Sequence, residues 1–232
     1  MQHRHFLQKR ILIVMHSNYT TTHVIAKEGW NQIVFSFMVF LLSYAISCLP
    51  WLFFLVFLGT IFVYRNPERI AEESDGLCLL APMDGKITKI AKVDLKDKSE
   101  VLCVVIRKSF FNVGILRTPI NMEVGEVKNR FGLFMPSSSS LFSNLCERKT
   151  FTCKNKFASF KMVISAGRFS QKIIFFRKLG MFKANERFGF LRDGEIALLL
   201  PLDTRIKVSL NSDVKAGESV LGYLAYKESN DK

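Results

Sequence analysis

The chain has 232 residues, with 33 Lys and Arg against 20 Asp and Glu for a net charge of +13, and 49% hydrophobic residues that include 22 Phe. That length suits one domain of ordinary size plus an appendage. All four histidines (His3, His5, His16 and His23) fall before residue 30, which excludes a histidine triad or a His-rich metal site from the rest of the chain. The cysteines, Cys48, Cys78, Cys103, Cys146 and Cys153, are odd in number and irregular in spacing. They read as buried small hydrophobes of a reducing compartment, with no disulfide framework and no metal site expected.

Residues 1–30 read as an N-terminal extension carrying Arg4, Lys9, Arg10 and Lys27 against Glu28. The apolar piece Ile11 to Met15 is too short for the core of a secretory signal. Residues 31–64 contain no charged side chain. As one helix they would span about 50 Å, against a bilayer core of about 30 Å. Pro50 interrupts the run and cannot continue a helical hydrogen-bond ladder. Two forms of a membrane segment therefore stay open, a hairpin of short helices near 33–48 and 51–64, or one kinked span. The hairpin keeps both basic flanks on one side, as the positive-inside preference favours, and suits Trp30 and Trp51 to interfacial positions. The domain that follows is then expected on the cytoplasmic side.

At Arg65 the composition changes, and Arg65-Asn66-Pro67-Glu68-Arg69 reads as a charged, Pro-broken linker. Residues 65–232 form the main domain. Short β-branched or alternating runs predict strands at 77–80, 86–90, 101–106, 123–127, 160–164, 172–176, 196–200 and 206–208. Asp84-Gly85, Gly132, Gly180, Asn185, Gly194 and Gly217 mark turns between them, and Pro136 to Ser140 is a loop. No helix longer than about ten residues is expected after residue 65. The fold class is mainly β, a sandwich or barrel-like domain. Ala81 to Ile87 and Asp213 to Val220 resemble the two halves of a biotinyl/lipoyl-type hammerhead, in architecture only, since neither Lys86 nor Lys215 sits in a modification hairpin.

The charge is concentrated. From Arg148 to Arg187 there are eleven Lys and Arg and one acid, Glu186. One reading is half-buried strands with solvated cations. The other is a basic apron, with Arg148, Lys149, Lys154, Lys156, Arg168, Lys172, Arg177 and Lys178 facing an anionic phospholipid surface, each worth on the order of 1 kcal/mol near such a surface and less in salt. No specific nucleic-acid module is present, and nucleic acid is not an expected partner.

Several pieces in order resemble the short, membrane-tethered form of the phosphatidylserine decarboxylase family. They are the apolar block, Tyr64 to Arg69, Ala81-Pro82-Met83-Asp84-Gly85-Lys86, Phe110 to Pro119, Ala184 to Gly194, and Val214 to Ser219. The resemblance covers roughly residues 26–224. It implies an enzyme that forms phosphatidylethanolamine from phosphatidylserine with a pyruvoyl group. In that family a Ser after a Gly attacks the Gly carbonyl, β-elimination splits the chain, and the new N-terminus becomes the electron sink for loss of CO₂. An Asp-His-Ser arrangement performs the cleavage.

Carried over by position, Asp84 matches the family Asp, Gly114 stands where the family has His, and Gly194-Glu195 stands where it has Gly-Ser. Gly114 has no side chain to move a proton. Glu195 has no β-oxygen to form the ester, so the pyruvoyl cofactor is expected to be absent. The leading expectation is a membrane protein of phospholipid metabolism that is catalytically degenerate, binding anionic phospholipid such as phosphatidylserine, or pairing with an active paralogue or another copy of itself. Two alternatives stay open: a working decarboxylase matured at another Ser, with Ser165, Ser170 and Ser209 as candidates, and a membrane-surface interaction module without lipid chemistry. For Asp84, hydrogen bonding to the turn at Gly85 is weighed above residual catalysis.

Overall fold

The computed structural model describes residues 24–226 except 48, 73, 74, 96–98, 138, 140, 171, 172 and 178. Most of the N-terminal extension, the four histidines, Cys48, Lys172 and Lys178 lie outside the described residues.

The uncharged block forms two helices, α1 (Trp30–Ile46) after a single 3₁₀ turn, and α2 (Pro50–Val63). Ser47 and Leu49, both with positive φ, make the reversal, and Pro50 takes the first position of α2, where its missing N–H costs nothing. The helices run antiparallel. Phe37 meets Phe57 and Phe40 meets Phe54, with ring centroids 5.4 and 5.5 Å apart. The open end is closed by backbone: Ala26 N–H donates to Tyr64 O at 2.9 Å and Asn66 N–H to Val24 O at 2.8 Å. Trp30 stands at this base and Trp51 near the tip, both exposed. Residues 27–46 are long and apolar enough to cross a membrane by length and composition, whereas α2 has 14 residues and would reach about 21 Å. Phe35, Met38, Leu42, Tyr44, Leu55 and Phe62 point outward from the pair, so no polar face meets solvent.

The rest is mainly β, in antiparallel sheets. The strands are β1 (Cys78–Leu80), β2 (Gly85–Asp94), β3 (Glu100–Lys108), β4 (Ile115–Arg117), β5 (Met122–Arg130), β6 (Arg148–Lys154) and β7 (Ser159–Ala166). Then come β8 (Ile174–Phe175), β9 (Gly180–Phe182), β10 (Arg187–Phe190), β11 (Gly194–Leu200), β12 (Arg205–Ile206), β13 (Asp213–Val214) and β14 (Val220–Tyr223). One sheet has the order β13-β2-β3-β11-β7-β6-β5-β9, and two small sheets, β1-β14-β12 and β4-β10-β8, pack beside it. These sheets stay open and close no barrel. Strict alternation in β7 and β11 sends Phe160, Met162, Ile164, Ile196, Leu198 and Leu200 into one core with Met83, Ile106, Leu116 and Phe188. After residue 65 the described helix is a single short turn, Phe142–Leu145.

The two hammerhead-like pieces do meet. Val214 pairs with Gly85 and Asp213 with Lys86, while Gly217 N–H donates to Ala81 O and Ala81 N–H to Ser219 O. The segment 65–69, expected as a linker, is instead fastened to the domain. Arg117 donates to Pro67 O, Asn185 donates to Arg69 O, and Glu68 pairs with Arg187 at 3.7 Å. Polar groups that looked like linker chemistry are the hydrogen-bond partners of later strands.

A second core ties the hairpin to the domain: Ala26, Ile33, Val63 and Tyr64 pack with Val113, Ile115 and Phe190. Tyr64 stacks on Phe190 at 5.7 Å between centroids and fills the space over Gly29, where a Cβ would lie 2.5 Å from Tyr64 Cβ. Gly29→Ala is expected to lower stability by about 1–3 kcal/mol. Gly59→Ala, which meets open space, is expected to be neutral or slightly stabilising. Thermal unfolding of both in detergent checks this.

Candidate functional site

The sequence-singled residues converge at one end of the large sheet, where β3 ends, β11 begins and the hairpin base docks. Asp84 is buried immediately before β2. Its carboxylate takes both terminal nitrogens of Arg69, Nη2 to Oδ2 at 2.7 Å, and the Ala216 N–H at 2.8 Å. The expected partner, the Gly85 turn, is not what holds it. Fork-to-fork pairing with Arg69 satisfies a buried carboxylate better than one local amide. Arg117 lies beside this pair, donating to Asn185 O and Oδ1 at 3.2 and 3.0 Å. Burial first, then Arg187 and Arg69, pull its guanidinium down to about 10.

Gly194 opens β11 at φ +145°, and a Cβ there would collide with the Ser165 carbonyl, so this position accepts glycine alone. The turn before it, Leu191 to Asp193, joins strands of two different sheets: β10 pairs with β4 and β8, β11 with β3 and β7.

Glu195 faces Arg107 on β3 and Ser165 on β7. The pairing continues outward through Lys86 to Asp213 on one side, and from Ser165 to Arg148 on the other. Residues directly opposite in a sheet share a face, so Asp213, Lys86, Arg107, Glu195, Ser165 and Arg148 form one polar row. Within it Arg107 Nε donates to Glu195 Oε1 at 2.5 Å. Burial pushes the Glu195 carboxyl up from its ordinary value, and Arg107 pulls it back.

Lys108, next along β3, is 2% exposed. Its Nζ donates to Ser109 O, Asn112 O and Arg192 O at 3.0, 2.7 and 2.9 Å. Three carbonyls match three ammonium protons. Burial lowers the amine to about 8, which leaves the ammonium dominant at neutral pH. A cavity of about 620 Å³ opens over this end, lined by Lys86, Arg107, Lys108, Arg168, Asp193 and Asp213, with Phe110 and Phe169 among its walls.

Gly114 lies on the other side of the Ser109–Asn112 turn. It is buried, its carbonyl accepts Leu191 N–H at 2.8 Å, and a Cβ would lie 2.6 Å from Phe190 Cζ. Phe190 thus occupies the volume a side chain at 114 would need.

The basic candidates are spread along the strands rather than gathered. Arg148 and Arg168 stand at the cavity end, while Lys154 and Lys156 lie at the opposite end of β6 and β7. Lys149 donates to Ile173 O and lies over the Phe175 ring, and Arg177 pairs with Glu186 and lies over Phe182. Among the described residues no cluster of His, Cys, Asp and Glu could hold a metal ion. Sequence reading missed Arg69, Arg107, Lys108 and Phe190 as site residues. Arg69 and Phe190 lie inside motifs it had singled out, whereas nothing in the spacing of Arg107 or Lys108 marks them.

Fold and site together define a mainly β protein with an apolar helical hairpin and a cavity lined by charged side chains at one end of its large sheet. The family model described as phosphatidylserine decarboxylase matches residues 58–222, and the chain belongs to that family. A phosphatidylserine decarboxylase proenzyme of Ehrlichia chaffeensis is 32% identical over 213 residues, covering 89% of this chain and 94% of the relative. One from Desulfotalea psychrophila is 32% identical over 209 residues, covering 86% and 96%. One from Burkholderia cenocepacia is 29% identical over 209 residues, covering 87% and 96%. No solved structure matches this chain.

Arg69→Met strands the Asp84 carboxylate in the interior and is expected to cost about 3–5 kcal/mol, whereas the Arg69→Met/Asp84→Asn double variant recovers part of that loss. Denaturant unfolding of the single and double variants measures the coupling.

Proposed function

We propose that this protein is a membrane-attached member of the phosphatidylserine decarboxylase family that remains a single uncleaved chain and acts by engaging anionic phospholipid rather than by decarboxylating it. The observation that carries this reading is Glu195, which follows Gly194 at its positive φ and is held by Arg107. The curated relatives are named proenzymes, and the family's maturation requires a Ser after the Gly. Glu195 carries its oxygens on a carboxylate two carbons beyond the position that chemistry needs and has no β-hydroxyl to add to the Gly194 carbonyl or to be eliminated. The residues present do not fit a pyruvoyl group.

Gly114 supports the same reading. The His position of the family has lost its side chain, and Phe190, stacked on Tyr64, fills the space. On this account Asp84 keeps its place through Arg69 and Ala216 as a structural anchor, and Glu195 serves the polar row by balancing Arg107. The hairpin inserts in the bilayer with both ends on the domain side. Its shorter helix, about 21 Å, dips into the membrane without crossing a core of about 30 Å. The domain sits on the cytoplasmic face, where Arg65, Arg168 and Arg192, all at the docking end, meet anionic headgroups.

Purified protein is expected to sediment with vesicles containing phosphatidylserine more strongly than with phosphatidylcholine alone. High salt should narrow that difference without abolishing binding, and no CO₂ should be released from labelled phosphatidylserine. Release of CO₂ would overturn the reading. Glu195→Ser alone is expected to stay full length because no histidine stands at 114, and Glu195→Ser with Gly114→His because Phe190 blocks the introduced side chain. Only with Phe190→Ala added should cleavage before residue 195 appear, as a fragment of roughly 4 kDa by the chain's own mean residue mass. Gel mobility and intact mass check each variant.

A further inference from the structure

Between β5 and β6 the chain makes an excursion whose outer side is apolar. Phe131 is 88% exposed, and Leu133, Phe134, Leu141 and Leu145 are exposed with it. Backbone hydrogen bonds hold the base of the excursion. Leu133 N–H donates to Leu145 O at 2.8 Å, Leu145 N–H to Leu141 O at 3.0 Å and Glu147 N–H to Leu133 O at 3.3 Å. Phe142 and Cys146 are buried and fasten it to the domain. Gly132 passes so close to the returning chain that a Cβ there would lie 2.3 Å from Leu145 O. Clustered exposed apolar side chains mark an interaction surface, where scattered ones do not.

The excursion leaves β5 at Arg130, which pairs with Arg148 at the cavity end of the large sheet. It then runs back toward the hairpin. Met135 bridges Gly167 just beyond β7, and Pro136 and Ser137 line the large cavity with Phe110 and Phe169. Phe110 in turn shares a groove with Val56, Gly59 and Val63 of α2. Phe111 and Phe169, both exposed, pack on Phe110 with ring centroids 5.5 and 5.4 Å away. The outward apolar set therefore belongs to the end of the domain at which the hairpin docks. Charge agrees with that placement. From Val127 to Cys146 there is no acid, and Arg130 and Arg168 are exposed at the margins.

We propose that Phe131, Leu133, Phe134, Leu141 and Leu145 form a second membrane contact, seated among the headgroups and upper acyl chains of the bilayer on which the hairpin is anchored. The partner is the membrane surface as a whole, not a lipid held in a site. Apolar side chains flanked by Arg are the composition of an interfacial anchor. Another copy of this chain suits the patch less well, because cationic margins without an intervening acid would meet each other across a two-fold axis. Four strand spacings, about 19 Å, separate β3, where the hairpin docks, from β5, where the excursion begins. A contact at that distance sets the tilt of the domain over the membrane. This rests on the reading of the hairpin as membrane-inserted.

The test is quenching of tryptophan fluorescence by brominated phosphatidylcholine in vesicles carrying the full chain. Phe131→Trp is placed in a Trp30→Phe/Trp51→Phe background, so that position 131 carries the sole indole. At an interfacial depth of about 5–10 Å, its emission is expected to shift to the blue on reconstitution. Bromines high on the acyl chain should quench it more than bromines near the chain end. Lys156→Trp in the same background, at the far end of the sheet, should keep the emission of a water-exposed indole and stay unquenched. Unquenched, water-like emission from Phe131→Trp would overturn the proposal. Blue-shifted but unquenched emission would overturn it as well, because the patch is then covered by protein, as in a pair of chains. Equal quenching of Lys156→Trp would do the same, since the signal would not be particular to this surface. The wild-type chain, with Trp30 and Trp51 in place, reports on the hairpin. Quenching there without quenching at 131 sinks the second contact alone, and no quenching in either sinks the membrane reading beneath it.

Discussion

The buried pair between Arg69 and Asp84 is the constraint on which the rest depends. Arg69 ends the segment that leaves the hairpin, Asp84 precedes the first long strand, and the Ala216 N–H that completes the carboxylate belongs to the last hammerhead piece. Three stretches far apart in sequence are thereby fixed at one point. Arg117 and Asn185 extend the network to β4 and to the turn before β10. A desolvated ion pair of this kind gives little net stability over an apolar replacement, but it penalises every arrangement in which one partner is left alone. It specifies how the helical hairpin enters the β domain.

From that point the chemistry at the end of the sheet follows. The hairpin base sets Tyr64 on Phe190, and Phe190 closes the space over Gly114. Gly194 makes the sharp entry into β11, which puts Glu195 opposite Arg107 in a polar row that also holds Lys86 and Arg148. A neutral residue at 195 would leave those cations with Asp213 as the only acid of the row. The carboxylate is partly buried and ion-paired with Arg107, which balances charge within the row. Lys108 behaves likewise: buried beneath the cavity, it ties the Ser109–Asn112 turn to Arg192 through three carbonyls.

Much of this was legible in the sequence where periodicity is strong. The alternation in 160–164 and 196–200 marks central strands that the structure extends by one to two residues at an end. The break at Pro50 marks the reversal between helices. Arg148–Lys154 escaped notice because its outward positions are Arg148, Thr150, Thr152 and Lys154 and its apolar content reduces to Phe151 and Cys153, the two that reach the core. In the smaller sheets β1, β8 and β12 coincide with or overlap runs marked in the sequence, whereas β4, β10 and β14, of three or four residues each, are too short for a period to register. The site was half legible. Asp84, Gly114, Gly194 and Glu195 follow from motif order, but Arg69 looked like linker charge because its partner lies across the fold. Phe190 looked like ordinary core because its role depends on an absent side chain at 114. Dispersal of the cations from 148 to 187 along strands, with Lys149 and Arg177 turned to internal partners, is likewise a matter of register that charge counting does not see.

The central claim is that Glu195 prevents the maturation that its relatives' names imply. Intact mass of the protein purified from its own membranes addresses it most directly. The account requires one species at the full 26.6 kDa. A C-terminal partner chain of roughly 4 kDa beginning at residue 195, or any fragment with a blocked, carbonyl-reactive N-terminus, would contradict it and make this protein an enzyme.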